Sequence, residues 1–267
     1  MQDGFADYFV KIDLNETGCR NKFALEGVKY SASAGAFEKG SLVGVTMNGV
    51  GVRNGDRTVY DAGTVVLPAH RARGVSTGMF EYLLPRLADK GFKSYLLEVI
   101  CENVAAIRLY QKLGFVKNRK LGVFVKKNPG PDALFGSDLE IKRIGLSDLD
   151  GDSILDGEGL AWQNSNALLR NAEAMGYDLK MYGVFVNSSL LGFGAVGPKT
   201  GRVMRIAVKP SFRRQGVGSV MLAKLESVSQ KPLIFVNVDL ADEATVAFME
   251  SKGCEKTIEQ YEMERLF

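Results

Sequence analysis

The sequence contains few of the residues that mark common kinds of site. Its 267 residues include one histidine (His70), one tryptophan, and three cysteines, which are Cys19, Cys101 and Cys254. The cysteines lie far apart without a C-x-x-C pair, whereas zinc sites need clustered Cys and His ligands. We therefore expect neither a disulfide framework nor a bound metal.

An excess of charge and long apolar runs are also missing. The formal net charge is only +3, without a block of Lys and Arg, so nucleic acid is not an expected partner. No apolar run approaches the roughly 20 residues that span a bilayer, and the N-terminal stretch MQDGFADYFVKIDL has no signal-peptide pattern. We expect a cytoplasmic protein without a membrane partner, and the oligomeric state stays open.

Apolar residues make up 46% of the chain, enough to fill the cores of two domains. In the first half, the periodicity predicts a helix over about 5–27, three consecutive antiparallel strands, and a helix over about 71–91. A strand over 94–100, a helix over about 104–113 and a hairpin over about 115–127 follow.

The second half follows a similar order, beginning with helices between about 146 and 176. Between the halves, a stretch rich in Pro and Gly is typical of a linker. We predict a mixed α/β fold with an N-terminal domain over 1–130, a linker over 131–138 and a C-terminal domain over 139–267.

Two separate signatures occur once in each half. VLPAHRARGVS (66–76) and VKPSFRRQGVG (208–218) align without a gap at an offset of 208 minus 66, or 142. LYQKLGF (109–115) and FMESKGC (248–254) align at 248 minus 109, or 139. The same order and spacing of both signatures indicate a tandem duplication.

The first signature lies between an apolar strand and an amphipathic helix. The first turn of a helix has unpaired N–H groups and a partial positive charge, so it can bind an anion. Gly74 and Gly216 allow close backbone approach, and Arg71, Arg73 and their counterparts add positive charge, so a pyrophosphate could bind here. A tight strand-to-helix connection without a ligand is also consistent with the pattern.

One carboxylate, Glu98, interrupts the apolar strand SYLLEVI. An ionised carboxylate in such a strand costs several kcal/mol unless it is compensated, so it needs a structural or a chemical reason. Twelve positions later (110 minus 98), Tyr110 lies on the apolar face of the next helix. Alone, each residue is equally consistent with a structural role.

The repeated loop resembles motif A, [QR]-x-x-G-x-[GA], of the GNAT superfamily of acyl-CoA N-acyltransferases. Arg213, Gly216 and Gly218 match it fully, whereas in the first copy Arg71 and Gly74 match and Ser76 stands where Gly or Ala is usual. The segment LEVICENVAAIRLYQKLGF resembles motif B of the ribosomal-protein alanine acetyltransferases. In those enzymes a Glu on the strand is the general base and a Tyr on the helix is the general acid. The resemblance assigns these functions to Glu98 and Tyr110, respectively.

The resemblance implies two tandem GNAT domains and direct transfer of an acetyl group from acetyl-CoA to an amine, without a covalent enzyme intermediate. In the first half, the residues expected to bind acetyl-CoA are Val65, Val66, Arg71, Arg73, Gly74, Val75, Ser76 and Asn103. In the second half they are Ala207, Val208, Arg213, Arg214, Gly216, Val217 and Gly218. His70 is expected to be a solvated loop residue, although a contact with a CoA phosphate is also consistent with its place.

The second half has Asn237, Asp242 and Met249 in place of Glu98, Asn103 and Tyr110. We therefore predict that the first half is catalytic. Two alternatives stay open: a catalytic second half that uses other groups, and an acyl-CoA sensor without turnover. The acceptor, a small molecule or a peptide with an amine, is not encoded in a pattern that can be read.

Overall fold

The computed structural model describes residues 15–127, 139–155 and 159–267. The predicted linker over 131–138 and the start of the first predicted helix lie outside these ranges. The described residues form α-helices and β-strands, as the expected α/β class requires. None of the helices in these ranges is both long and apolar enough to cross a bilayer.

The chain forms two compact units that exchange segments. The first consists of residues up to Lys120 together with Gln260–Phe267, and the second consists of Leu121–Glu259. The sequence-based division assigned residues 260–267 to the second domain, whereas this compact unit assigns them to the first. The first unit is therefore discontinuous in sequence.

The helices and strands of the first unit follow the predicted order. They are α1 (Glu16–Leu25), β1 (Ala34–Glu38), β2 (Ser41–Arg53), β3 (Asp56–Val66), α2 (Val75–Asp89), β4 (Ser94–Ile100) and α3 (Val104–Lys112). Strand β3 pairs with β2 antiparallel and with β4 in parallel, and β4 pairs on its other side with residues 260–266 of β11 (Glu255–Leu266). The core lies between this sheet and the helices α2 and α3.

The second unit repeats this arrangement. Its elements include β5 (Val116–Lys126), β6 (Glu140–Arg143), α4 (Asn166–Ala174), β7 (Lys180–Val186), β8 (Ser189–Gly197), β9 (Arg202–Val208), α5 (Val217–Val228), β10 (Leu233–Asp239) and α6 (Glu243–Ser251). Strand β9 pairs with β8 antiparallel and with β10 in parallel, and β10 pairs with residues 121–126 of β5.

The hairpin expected over 115–127 was wrong, because this segment is the single strand β5. A tight hairpin needs residues that favour positive φ at its turn, and the segment lacks a pair such as Asn-Gly. Its one glycine, Gly122, serves close packing instead, since a Cβ there would approach Leu240 and Phe124 to within 2.8 and 2.9 Å. The helices expected over 146–176 are short 3-10 turns followed by α4.

The duplication is visible in how each loop helix approaches its sheet. Gly44 on β2 lies under α2, where an added Cβ would come within 3.0 Å of Val75. Gly192 on β8 lies in the same way under α5, where an added Cβ would come within 3.0 Å of Val217. A glycine at this point lets the first turn of each helix rest directly on the sheet.

Candidate active site

The two loops between strand and helix share one backbone conformation. Gly74 and Gly216 are the N-caps of α2 and α5, with φ of 78° and 87°. Two residues earlier, Ala72 and Arg214 also have positive φ, 57° and 63°. A non-glycine residue at positive φ costs roughly 1–2 kcal/mol, so the rest of the loop must compensate the strain.

Arg71 and Arg213 hold these loops in place. The Nε of Arg71 donates to the carbonyl of Val66 over 3.2 Å, and the Nε of Arg213 donates to that of Val208 over 3.3 Å. Each arginine therefore fastens the loop to the last residue of the preceding strand. One function of these predicted phosphate-binding residues is thus structural.

The first turn of α2 is suited to a phosphate group. Among the described residues, no side chain caps it, and a Cβ added at Gly74 or Gly78 would meet no atom within 4 Å. The turn also contains Val75 and the partly buried Ser76, and Arg73 is exposed beside it. Arg73 lies 3.4 Å from His70 and 3.8 Å from Glu38, and the Nδ1 of His70 lies 3.7 Å from the same carboxylate.

The first turn of α5 is less open. Gly216 also has free space around it, but a Cβ at Gly218 would lie 3.3 Å from the Phe248 ring of α6 and 3.8 Å from Val208. Phe248 is the counterpart of Leu109 at the offset of 139. The Phe248 ring therefore lies beside Gly218 in the first turn of α5, whereas residues 213–216 of the loop are exposed.

Strands β3 and β4 pair only at their beginnings. The parallel ladder extends from Thr58 opposite Ser94 to Tyr60 opposite Leu96. Beyond it, a bulge interrupts the pairing of β3 with β2. Met47 pairs with Gly63 and Asn48 pairs with Asp61, so Ala62 is the extra residue on β3. The predicted residues Val65 and Val66 lie beyond the bulge, are buried, and pair with β2.

Glu98 lies on β4 two residues past the end of this ladder. Its Oε2 accepts a 2.6 Å hydrogen bond from the Tyr60 hydroxyl. Its Oε1 is buried and accepts no hydrogen bond from the described residues. Burial raises the pKa of Glu98 to about 8, although the Tyr60 hydrogen bond acts in the opposite direction. A carboxyl with one unpaired oxygen and a pKa near neutrality is suited to accept a proton.

Glu262 of β11 lies directly opposite Glu98 in the antiparallel ladder. It is 1% exposed and binds two arginines: Arg119 with Nη2–Oε2 of 2.8 Å, and Arg53 with Nη2–Oε1 of 3.0 Å. Its charge is thereby compensated, and it contributes to raising the pKa of Glu98.

Tyr110 lies on the other side of β4. Its ring packs edge-on against Phe80 and Phe115, within the core that also contains Leu97. Because side chains alternate along a strand, Glu98 faces away from this core. The two predicted catalytic residues thus lie on opposite faces of β4. Asn103, the N-cap of α3, accepts from the amide of Ala106 over 3.1 Å.

Helix α1 covers the bulge of β3. The Nζ of Lys22 donates to the carbonyl of Ala62 over 2.6 Å and forms an ion pair with the buried Glu26. Burial raises the pKa of Asp61, in the same bulge, to about 6. Sequence reasoning missed Tyr60, Asp61 and Glu262, although Asp61 interrupts an apolar strand just as Glu98 does.

The second unit differs at each of these places. Asn237 replaces Glu98 and is 4% exposed, and Met249 replaces Tyr110 and is 1% exposed. Asn164 lies in a 3-10 turn, and its side-chain nitrogen Nδ2 donates to the carbonyls of Val236 and Asn237 over 2.8 and 3.2 Å. The carbonyl of Asn164 accepts from Arg205 of β9 over 2.9 Å. This turn therefore contacts both β9 and β10.

Comparisons with known proteins agree with this geometry. The Acetyltransferase (GNAT) family matches residues 10–115 and 156–254. "N-alpha-acetyltransferase MAK3" of Arabidopsis thaliana is 29% identical over 86 residues, which are 32% of this chain and 45% of that protein. The chain thus spans about half the length of this curated relative.

Solved structures show the same fold. A tandem GNAT protein from the clavulanic acid biosynthesis pathway has a TM-score of 0.76 at 14% identity, with 99% of this chain and 92% of that chain covered. A GCN5-related N-acetyltransferase from Sphaerobacter thermophilus has a TM-score of 0.65 at 11% identity, with 85% and 78% covered. The predicted tandem fold is confirmed, and the chain belongs to the acetyltransferase (GNAT) family.

Proposed function

We propose that the first unit transfers an acetyl group from acetyl-CoA to a primary amine, with Glu98 as general base and Tyr110 as general acid. The observation that carries this proposal is the buried, unpaired Oε1 of Glu98 together with its pKa of about 8. A purely structural carboxylate would be expected to have both oxygens paired.

In this mechanism the first turn of α2 binds the pyrophosphate of acetyl-CoA through its backbone amides. Acetyl-CoA supplies the thioester. Glu98 accepts the proton of the attacking amine, and the amine nitrogen forms a bond to the acetyl carbonyl carbon. The carbon–sulfur bond then breaks, and the Tyr110 hydroxyl gives its proton to the departing thiolate.

The placement of the two residues on opposite faces of β4 supports this division of labour. The ladder between β3 and β4 ends just before Glu98. An acetyl group inserted where the ladder ends would have the acid on the helix side and the base on the other side. The acceptor would then enter from the face that contains Tyr60 and Glu98.

The second unit is proposed to be inactive. It has neither a carboxylate nor a hydroxyl at the two positions, and the Phe248 ring lies beside Gly218 in the first turn of α5. The likeness to an N-alpha-acetyltransferase makes a peptide amino terminus the first acceptor to test. We propose a cytoplasmic location on the sequence composition alone.

The test is acceptor-dependent release of CoA thiol from acetyl-CoA, with peptides and small amines as acceptors. We expect Glu98→Gln to lower turnover by about 100-fold or more. Glu102→Gln, an exposed carboxylate four positions along, is the matched control and should retain turnover. Full turnover in Glu98→Gln would move the chemistry to another base, and binding of CoA without any turnover would favour the sensor alternative.

A further inference from the structure

A series of hydrogen-bonded polar side chains begins at the bulge of β3. The Oδ1 of Asp61 accepts from the amide of Gly63 over 2.8 Å, and its Oδ2 lies 2.7 Å from the hydroxyl of Thr64. The Thr64 hydroxyl lies 2.8 Å from that of Thr46 on β2. One carboxylate therefore fixes the backbone of the bulge and starts a series of hydroxyl groups.

The series of polar side chains continues from β2 to β4. Thr46 lies 3.3 Å from the Oδ1 of Asn48, which also accepts a 2.6 Å hydrogen bond from the Tyr95 hydroxyl. The side-chain nitrogen Nδ2 of Asn48 donates to the carbonyl of Ala32 over 2.6 Å, which fixes the orientation of the Asn48 side chain. Thr46, Asn48 and Tyr95 are completely buried. We call the series from Asp61 to Tyr95 the buried polar chain.

The buried polar chain ends next to Tyr110. The rings of Tyr95 and Tyr110 contact the same two phenylalanines, with centroid distances of 5.8 and 5.7 Å to Phe80, and 5.3 and 5.7 Å to Phe115. Burial raises the pKa of Tyr95 well above its usual value, so its hydroxyl keeps its proton and remains a donor.

The direction of these hydrogen bonds depends on Asp61. A threonine hydroxyl has one proton to donate. When Asp61 is ionised, Thr64 donates to it and Thr46 donates to Thr64, which leaves the Tyr95 hydroxyl as the donor to Asn48 within the chain. When Asp61 is protonated on Oδ2, Thr64 donates to Thr46 and Thr46 donates to the Oδ1 of Asn48, whose two lone pairs also accept the hydrogen bond of Tyr95.

The second unit folds without this chain. The register around its bulge, between Ala195 and Val196, gives the counterpart of each member. The counterparts of Asp61, Thr64, Thr46, Asn48 and Tyr95 are, in that order, Val203, Ile206, Gly194, Val196 and Leu233. All five are apolar or glycine. The duplicated fold therefore does not require the polar chain, and a reason specific to the first unit is needed.

We propose that Asp61 is a positioning residue of the transfer site: it fixes the bulge of β3 and, through the buried polar chain, the side chain of Tyr95, whose ring packs against the same two phenylalanines as Tyr110. Asp61 acts through these groups and does not itself react. The inference rests on the proposed function of Tyr110 as the acid. Buried polar groups cost free energy unless all are satisfied, and a complete network holds its members in one arrangement.

The test compares Thr64→Val, which cuts the chain with little change in volume, with Thr64→Ser, which restores the hydroxyl. In the full-length protein we expect Thr64→Val to lower kcat by about 10- to 100-fold, because small displacements of a catalytic group cost this much. The KM for acetyl-CoA should change less than about threefold, since the loop of α2 is untouched. Thr64→Ser should recover kcat, and Ile206→Val in the second unit is the matched control.

Asp61→Asn is a second variant that decides the question where Thr64→Val folds poorly. It keeps one oxygen, but its amide group donates where the carboxylate accepted, so it should lose kcat as Thr64→Val does. Wild-type kcat in either folded variant, or a loss in Thr64→Ser equal to that in Thr64→Val, would overturn the inference alone. A wild-type protein without turnover would overturn the proposed function along with it.

Discussion

Glu98 and Glu262 face each other across neighbouring strands, although they are 164 positions apart in sequence (262 minus 98). Like charges at directly opposite positions destabilise a sheet. Two arginines compensate Glu262, whereas Glu98 has one neutral hydroxyl, so the proton is retained on Glu98. Burial raises the pKa of Glu98 to about 8, and the charge of Glu262 acts in the same direction.

The pH dependence of kcat/KM should report this titration. Glu98 acts as a base only when ionised, so kcat/KM should rise with pH and level off above about 8. Tyr60→Phe removes a hydrogen bond that stabilises the ionised form, so the rising limb should move to higher pH. The same acceptor is used for both proteins, which cancels the ionisation of the amine, and Tyr82→Phe is the control. An unchanged limb in Tyr60→Phe would contradict the assigned base.

Removal of the Tyr110 hydroxyl should lower turnover by about 10- to 100-fold and leave folding nearly unchanged. The ring of Tyr110→Phe still packs against Phe80 and Phe115, so the free energy of unfolding should fall by about 1 kcal/mol or less. Activity is followed by thiol release and stability by thermal unfolding. Tyr82→Phe, a half-exposed tyrosine on α2, should match wild type in both measurements, and full turnover in Tyr110→Phe would exclude it as the acid.

CoA should bind at one site per chain in calorimetric titration. We expect Gly74→Glu to abolish binding, because a carboxylate would enter the phosphate position. Gly40→Glu is the control for backbone strain, since Gly40 has a similar φ of 83° and open space but lies in the turn between β1 and β2. Two equal sites in the wild type would contradict the expectation that the Phe248 ring beside Gly218 hinders binding at the second loop.

The stability of the protein should fall as pH rises toward 8, and Glu98→Gln should lessen this loss. The folded-state pKa of Glu98, about 8, is above its ordinary value of 4.5. Its contribution is therefore fully present below pH 4.5 and is lost as pH rises through 8. In denaturant unfolding, the difference in stability between Glu98→Gln and wild type should become more favourable to the variant from pH 5 to pH 9. A difference that is constant with pH would mean that Glu98 has an ordinary pKa.

Met263→Ala should destabilise the first unit, although Met263 follows the whole second unit in sequence. Met263 is completely buried in the first core, so its truncation should cost about 2–5 kcal/mol. Leu266→Ala, at a 74% exposed position of the same strand, should change stability by about 0.5 kcal/mol or less. Hydrogen exchange of β4 is the measurement, and faster exchange is expected only in Met263→Ala.

The sequence predicted the repeated unit and the family because these depend on local patterns, such as the loop after β3 and the run from Glu98 to Tyr110. It did not predict the exchange of segments through β5 and β11. Alternation along a strand indicates which residues share a face, but the identity of the neighbouring strand depends on contacts distant in sequence. The buried polar chain was missed for the same reason, since its members come from three strands.

The exchange of segments has a consequence for how the protein is made. Residues 260–267 are translated after the entire second unit, yet they complete the sheet that holds Glu98. The strand β4 of the nascent first unit therefore has an unpaired edge while the second unit is synthesised, and such edges promote aggregation. A nascent chain that has not yet reached residue 260 lacks the strand that pairs with β4 beside Glu98, and a gene encoding only the first half would yield an incomplete sheet.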